Sequence, residues 1–290
     1  MTQAYGQQTP GWLESAVIAA TSRLPDNWLG LRLAIGLRRI VTMRIADDDG
    51  LDVVRWGLRM RLHPRRNGCE KNALFTPQMY EAPERAELFK QVDEVRAAGR
   101  TFVFVDVGAN VGLFSFLVAS HAGASAQILA IEPEPENLRR LRFNIAANPD
   151  VPIRVIPVAL GDKRELVTLE VNSRDRGGTR TRALRPGHSQ DADHSRDDAA
   201  GVVECRTLLD VLDEERIAGI DALKIDAEGA EDAILVPFFH AAPETLWPRL
   251  IIIENAPQSW RTDLLSLLQE RGYTLARRTK LNIILRRRLG

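Results

Sequence analysis

Residues 105–112 read Val-Asp-Val-Gly-Ala-Asn-Val-Gly, and they continue an apolar run that begins at Phe102. An apolar run followed by an acid and two glycines is typical of a buried parallel strand that ends in a tight turn. Glycine lets the backbone bend sharply and approach a ligand closely, so Gly108 and Gly112 predict a small-molecule site where this strand ends. Their G-x-x-x-G spacing differs from the G-x-G-x-x-G of dinucleotide sites, which makes a nicotinamide-dependent oxidoreductase the weaker alternative.

The sequence around this stretch alternates short β-rich runs with helical patterns, which is typical of βαβ units and a parallel sheet. The strands are predicted over residues 101–107, 127–132, 153–159, 220–226 and 249–254, and the helices over residues 112–121, 135–147, 207–214, 229–239 and 260–271.

The end of the chain carries two further β-rich runs, residues 273–277 and 281–285, joined by three polar residues. So short a connection allows only antiparallel pairing. The predicted fold class is therefore α/β, with a Rossmann-like, doubly wound sheet that is mostly parallel and has an antiparallel terminal strand. Residues 100–290 form this predicted domain, and residues 1–99 form an N-terminal extension.

Residues 172–200 contain one large apolar side chain, Leu184. Such a segment cannot bury enough surface to offset its ordering entropy, and we expect it to be mobile. The flanking residues 166–171 and 202–205 predict a small hairpin that carries it as a loop. Two interpretations remain open, an active-site lid and a tolerated insertion.

Residues 23–44 carry five arginines against one aspartate, interleaved with large apolar side chains. A basic amphipathic helix of this kind can lie on an anionic membrane or pack on a partner. The alternative, which we favour at this stage, is a helix docked on its own domain with a solvated arginine face.

The composition excludes several classes of protein. With 39 basic and 39 acidic residues, the net charge of zero gives no overall electrostatic reason to expect a nucleic-acid partner. Two cysteines are too few for a disulfide framework or a cysteine-based zinc site, so a reducing compartment is expected. The sequence shows neither a signal peptide nor an apolar stretch long enough to span a bilayer. We therefore expect a cytoplasmic protein, and an alternative location is the inner face of the membrane. The sequence leaves the oligomeric state open.

Acids stand at the ends of three predicted strands. Glu132 ends the second strand, where a carboxylate can accept hydrogen bonds from ribose hydroxyls. Asp106 ends the first, and burying it requires either backbone donors from its own turn or a ligand cation. Because alternate strand residues share a face, Lys224 and Asp226 are predicted to lie together at the end of the fourth strand, with Glu228 beginning the next helix.

Four strings, VDVGANVGLFS, IEPEPENLRRLRFN, PVALGD and LKIDAEGAEDAIL, resemble in order and spacing the FkbM-type family of S-adenosylmethionine-dependent methyltransferases. The resemblance covers about residues 100–285. Upstream, RWGLRMRLHP and FTPQMYEAPE look like the family's lead-in β-hairpin and its "YE" segment. The antiparallel terminal strand agrees with this class and is absent from dehydrogenases.

The resemblance implies S-adenosyl-L-methionine as cofactor. It places Asp106, Gly108, Asn110 and Gly112 around the methionine part, Glu132 on the ribose with Pro133 and Asn137 shaping the turn, and Leu160, Gly161 and Asp162 beside the adenine. For Asp162, an ordinary turn acid is an equally simple interpretation.

The implied reaction is transfer of a methyl group to a hydroxyl of a sugar, glycolipid or polyketide-like small molecule. Such a transfer requires positioning of the hydroxyl and removal of its proton. We expect Asp226 or Glu228 to serve as base or substrate anchor, with Lys224 holding the carboxylates ionised. The competing interpretation is a purely structural pair of Lys224 and Asp226.

Three alternatives accompany this hypothesis. Glu254 and Asn255 after the fifth strand, together with the acid after the fourth, resemble the Mg²⁺ site of catechol-type methyltransferases. A non-catalytic protein that binds cofactor and is recruited through its basic segment is a second alternative. A base-directed nucleic-acid methyltransferase fits poorly, because residues 226–229 lack the Pro-rich aromatic motif that holds a flipped base.

Overall fold

The computed structural model describes residues 3–46, 49–65, 67–170, 180–183 and 199–288. Its strands in chain order are β1 (Leu51–Arg55), β2 (Leu58–Leu62), β3 (Phe102–Val107), β4 (Ala126–Ile131), β5 (Ile153–Ile156), β6 (Ala159–Leu160), β7 (Glu165–Glu170), β8 (Arg180–Ala183), β9 (Ala199–Arg206), β10 (Ala222–Ile225), β11 (Leu250–Glu254), β12 (Tyr273–Arg278) and β13 (Asn282–Arg287). The α-helices are α1 (Trp12–Thr21), α2 (Trp28–Thr42), α3 (Gly68–Phe75), α4 (Ala82–Ala97), α5 (Leu113–Ala122), α6 (Pro135–Ala146), α7 (Leu208–Glu214), α8 (Glu231–Ala241) and α9 (Leu264–Glu270).

The central sheet has seven strands in the order β12-β13-β11-β10-β3-β4-β5. Strands β5, β4, β3, β10 and β11 are parallel, and β13 lies antiparallel to both β11 and β12. The predicted mostly parallel sheet with an antiparallel terminal strand is thereby confirmed. The chain runs outward from β3 through β4 to β5 and then returns to β10, so the strand order reverses between β3 and β10. Open α/β sheets bind ligands at such a reversal.

Helices cover both faces of this sheet because successive residues of β3 point to opposite sides. Val105 packs in the cluster that includes side chains of α7, α8 and α9, whereas Phe102 and Phe104 pack with α4 and α5. Burial on both faces explains why these strands read as continuous apolar runs.

The third predicted strand, residues 153–159, is divided between two sheets. Strand β5 ends at Ile156, and Ala159–Leu160 forms β6 in a second sheet of order β6-β9-β7-β8. The intervening Pro157 lacks the N–H that would continue the ladder, which accounts for the break.

The predicted hairpin of residues 166–171 and 202–205 corresponds to β7 and β9, which pair antiparallel. Strand β8 pairs with the other edge of β7, so one part of the segment predicted as a loop is a strand. Backbone hydrogen bonds hold this strand, and they require no large apolar side chain. The predictions of mobility and of a lid otherwise concern residues 172–179 and 184–198, which lie outside the described residues.

The N-terminal part packs against the sheet domain through a cluster that joins Val17 and Ile18 of α1 and Val41 of α2 to Phe116 and Leu141. Of the predicted helix over residues 23–44, residues 28–42 form α2. Asn27 begins it, since its side chain accepts a hydrogen bond from the Gly30 N–H at 2.9 Å.

Candidate functional site

A cavity of about 500 Å³ opens where β3, β4, β10 and β11 end, at the reversal of strand order. The sequence-predicted residues that line it are Gly108, Asn110, Glu132, Pro133, Asn137, Leu160, Lys224, Asp226 and Glu228. The structure thus brings the ends of the first, second and fourth predicted strands to one cavity.

The turn after β3 fixes the floor of this cavity. Gly108 has a φ of +69°, and a Cβ there would lie 1.9 Å from the carbonyl oxygen of Asp226. The N–H groups of Gly108 and Ala109 both donate to the carbonyl of Ile131 at 3.0 Å. Only glycine allows this close approach, by which one turn ties the end of β3 to the ends of β4 and β10.

Glu132 is buried and joins two turns. Its Oε2 accepts from the N–H of Asn110 at 2.7 Å, and its Oε1 accepts from the N–H of Glu134 at 2.9 Å. Burial raises the pKa of Glu132 to about 7, although these backbone donors and the amide of Asn137 oppose the rise. The carboxylate lies on the cavity wall at a strand end, where it can accept further hydrogen bonds from the hydroxyl groups of a ligand.

Two buried polar atoms near this wall have no hydrogen-bond partner within the described structure, Asn137 Oδ1 and Asp106 Oδ1. The other oxygen of Asp106 accepts from the N–H and the hydroxyl of Ser115, at 3.1 and 2.7 Å. The backbone donor of Asp106 is thus on helix α5 and not in its own turn. Because buried polar groups are nearly always satisfied and Asn137 lines the cavity, its orphaned oxygen is consistent with a polar ligand.

Four sequence-predicted residues are not part of the cavity lining, namely Asp106, Gly112, Gly161 and Asp162. Gly112 has a φ of +85°, and a Cβ there would meet Leu141 Cδ1 at 2.4 Å, so it serves the packing of α5 on α6. A Cβ on Gly161 would lie 2.8 Å from the sulfur of Cys205. The glycine therefore allows close approach of the β6 end to β9.

Lys224 and Asp226 face the opposite side of the cavity. Lys224 Nζ donates to Asp226 Oδ2 at 3.0 Å and lies 5.2 Å from the ring centroid of Phe114. Burial alone would lower the pKa of Lys224, but the carboxylates of Asp226 and Asp106 outweigh it and the pKa is raised. The ammonium therefore stays charged beside Asp226.

Two further acids, Glu81 and Glu254, belong to this wall. Glu81 lines the cavity, and its Oε2 accepts from the Asn282 amide at 2.9 Å. Burial, together with the Glu84 carboxylate, raises the pKa of Glu81 to about 7. The only sequence signal for Glu81 was its place in the "YE" segment, to which no role had been given.

Glu254 was considered only as a metal ligand, but it lines the cavity and its Oε2 is buried without a hydrogen-bond partner in the described structure. Burial and then the carboxylates of Asp226 and Glu231 raise the pKa of Glu254 to about 7. A carboxyl group that titrates near neutral pH is suited to accepting a proton.

Glu231 shapes the turn that carries Glu228. Its Oε1 accepts from the N–H groups of Ala227 and Gly229, at 2.8 and 3.2 Å, and its Oε2 accepts from the indole N–H of Trp260 at 2.8 Å. Glu228 itself adopts a φ of +52°. The turn is thus held in a left-handed conformation by a fully buried carboxylate outside the cavity.

The metal alternative receives no support. Within the described ranges, no group of three or more His, Cys, Asp or Glu side chains has an arrangement that could hold a metal ion. The amide of Asn255 donates to the carbonyl of Thr279 at 3.0 Å, so it is engaged by the β12–β13 hairpin and not by Glu254.

A family model described as the methyltransferase FkbM domain matches residues 106–275, more than half of the chain. The chain belongs to the FkbM methyltransferase family. The resemblance recognised in the sequence is thereby confirmed, and the matched range contains both walls of the cavity except for the residues contributed by α3, the "YE" segment and β13. A search among curated proteins found no match.

Several solved structures resemble this member of the FkbM family at low identity. Precorrin-6y C5,15-methyltransferase from Geobacter metallireducens is 13% identical with a TM-score of 0.39, over 74% of this chain and 90% of that one. A human methyltransferase 10 domain containing protein is 14% identical with a TM-score of 0.44, over 88% and 96%. WbdD is 16% identical with a TM-score of 0.43, over 71% and 41%.

Proposed function

We propose that this methyltransferase uses S-adenosyl-L-methionine and transfers the methyl group to a hydroxyl of a sugar, glycolipid or polyketide-like small molecule. The observation that carries the proposal is the two-sided cavity. A buried acid, Glu132, lies at the end of β4, and an ion pair of Lys224 and Asp226 lies at the end of β10.

The β4 wall has the chemistry that the cofactor requires. Glu132 and Asn137 offer acceptors to the ribose, the turn of Gly108 and Asn110 offers close backbone approach to the methionine part, and Leu160 offers an apolar contact to the adenine. When bound, the cofactor would supply an electrophilic methyl group on a positively charged sulfur.

The β10 wall would orient the acceptor and remove its proton. Lys224 contacts Asp226 Oδ2, which leaves Asp226 Oδ1 as the proposed proton acceptor. Glu228, in the turn held by Glu231, is the alternative base or the anchor for a second hydroxyl. Proton removal by a positioned carboxylate contributes typically 10²–10⁴-fold to the rate.

The first experiment is a calorimetric titration of the purified protein with S-adenosylhomocysteine, with NAD⁺ as comparison ligand. We expect binding of S-adenosylhomocysteine alone. Glu132→Ala should weaken it at least about tenfold, since hydrogen bonds to a charged group contribute about 1.5–3 kcal/mol. Circular dichroism would verify the fold of Glu132→Ala, and Glu132→Gln, which keeps the side-chain shape, should give an intermediate affinity.

Glu270→Ala is the control, because Glu270 is exposed at the end of α9 and does not line the cavity. Unchanged binding in a folded Glu132→Ala variant would contradict the cofactor assignment. Intact cofactor binding, combined with the absence of any phenotype when Lys224, Asp226 and Glu228 are replaced, would instead favour the non-catalytic alternative.

A further inference from the structure

Helix α2 presents an unusual outer surface. Its contact with the rest of the protein uses Gly30, Ala34 and Val41, which are buried. Leu37 is half-buried against the same cluster as Val41. Seven large apolar side chains of the helix and its C-terminal neighbour are exposed, and we name this surface the α2 face: Trp28, Leu29, Leu31, Leu33, Ile35, Ile40 and Met43. The expected solvated arginine face is therefore only partly correct, because apolar side chains outnumber arginines on the outward side.

The α2 face concentrates exposed apolar surface. Together with Trp12, which is 83% exposed at the start of α1, it holds eight of the thirteen large apolar side chains exposed in the described part of the chain. Contiguous apolar surface of this kind marks a site of contact with a partner or a membrane, whereas scattered single residues need no explanation.

The charge of the segment indicates which partner fits. Residues 23–44 contain five arginines and one aspartate, and α2 itself contains no acid. Arg32 lies over the ring of Trp28, with its guanidinium carbon 5.1 Å from the ring centroid. Arginine stems can bury beside apolar side chains while their charged ends reach phosphate groups, and tryptophan favours the boundary between headgroups and acyl chains.

We propose that the α2 face docks the protein on the surface of an anionic lipid bilayer. The helix would lie in the plane of the interface, since no described helix is long and apolar enough to cross a bilayer. A second copy of the chain fits less well, because a symmetric contact through this face would bring arginines against arginines without carboxylates from α2 to pair them.

The docked helix lies next to the cavity. Arg38 of α2 donates to the side-chain oxygen of Asn72 at 2.9 Å, and Asn72 lines the cavity. Docking would therefore bring the α3 side of the cavity close to the lipid headgroups, where a lipid-borne hydroxyl is accessible. This last step, a membrane-resident acceptor, rests on the proposed function, whereas the docking itself does not.

The test is co-sedimentation of the full-length protein with vesicles. We expect binding to vesicles that contain phosphatidylglycerol and phosphatidylcholine in equal amounts, weaker binding to phosphatidylcholine alone, and loss of binding with rising salt. The double variant Leu33→Ser and Ile35→Ser should lower the partition coefficient at least about tenfold, from the apolar area withheld from the bilayer. The double variant Arg32→Gln and Arg39→Gln should lower it about fivefold for each charge removed.

The matched control is Leu166→Ser and Leu275→Ser, which removes two exposed leucines from β7 and β12 and should bind like the unmodified protein. Absence of binding to anionic vesicles at low salt would overturn the proposal. Equal vesicle binding before and after the α2 substitutions would also overturn it. A third contrary outcome is a protein that does not bind vesicles but forms a dimer in light scattering, where the α2 substitutions abolish the dimer. The assay involves no methyl transfer, so its failure is distinct from a failure of the proposed function.

Discussion

Backbone hydrogen bonds build the β4 wall of the cavity, whereas charged side chains build the β10 wall. On the first wall, Glu132 receives two backbone N–H groups and the Gly108 turn donates two more to the end of β4. On the second wall, Lys224 is buried among carboxylates, and Glu81 and Glu254 have pKa values raised to about 7.

The difference has a physical consequence. The contacts of the Gly108 turn join backbone atoms alone, so their geometry does not depend on pH. Charged walls respond to pH and to the loss of a single partner, because each buried charge depends on the others. Substitution of Gly108 should therefore act through sterics, and substitutions in the β10 wall should act through electrostatics.

The largest effect is expected for Gly108→Ala. The new Cβ would lie 1.9 Å from the carbonyl oxygen of Asp226, a backbone atom that cannot move without shifting the end of β10. We expect a loss of unfolding free energy of at least about 3 kcal/mol in urea denaturation, the range of severe backbone and packing defects.

Gly99→Ala is the matched control for this substitution. Gly99 has a φ of +67°, close to the +69° of Gly108, but no atom lies within 4 Å of a Cβ built there. It should lose only the cost of the left-handed conformation, about 1–2 kcal/mol. Equal losses in the two variants would show that the close approach of β3 to β10 contributes nothing.

Lys224→Met should cost less, about 2–3 kcal/mol at neutral pH. Removing one member of a buried ion pair costs about 3–5 kcal/mol, and we reduce this because the Asp226 side chain is 39% exposed. Lys224 opposes the rise that burial imposes on the pKa of Asp106, so without it that pKa rises further. A raised carboxyl pKa destabilises as the pH rises, and the loss should therefore shrink in acid.

Urea denaturation at several pH values would measure this effect, with Lys90→Met as the control. Lys90 is exposed on α4, and its substitution should stay within about 0.5 kcal/mol. A loss of the same size at all pH values would indicate that Lys224 acts through packing alone.

The two walls also differ in how far the sequence predicts them. The glycine turn and Glu132 could be predicted because each follows a strand directly, and parallel strands bring their carboxyl ends to one edge. The antiparallel β13 was predictable because the three polar residues before it allow no other pairing.

The remaining wall depends on contacts between distant parts of the sequence. Glu81 and Asn282 are 201 positions apart, and neither their spacing nor any periodicity predicts their hydrogen bond. The same limit applies to Asp106, because its donor Ser115 belongs to the following helix and not to the turn. It applies also to α2: the sequence predicts this helix, but it does not predict which of the apolar side chains are buried against the rest of the protein.

The smallest effect, and the most specific to the charged wall, is expected for Glu254→Gln. Burial and neighbouring carboxylates raise the pKa of Glu254 to about 7, above its ordinary value of 4.5. The folded protein then holds a proton that the unfolded chain has already lost, so the contribution of Glu254 to stability is full below about pH 4.5 and is lost as the pH rises through about 7. Glutamine removes this titration, and the variant should match the unmodified protein near pH 5 and exceed its stability by about 1 kcal/mol near pH 8, a figure reduced for partial exposure. Urea denaturation at both pH values would measure this difference, with Glu270→Gln as the control. If the free energy of unfolding fell equally between pH 5 and pH 8 in the unmodified protein, Glu254→Gln and Glu270→Gln, the raised pKa of Glu254 would not govern the stability of the charged wall.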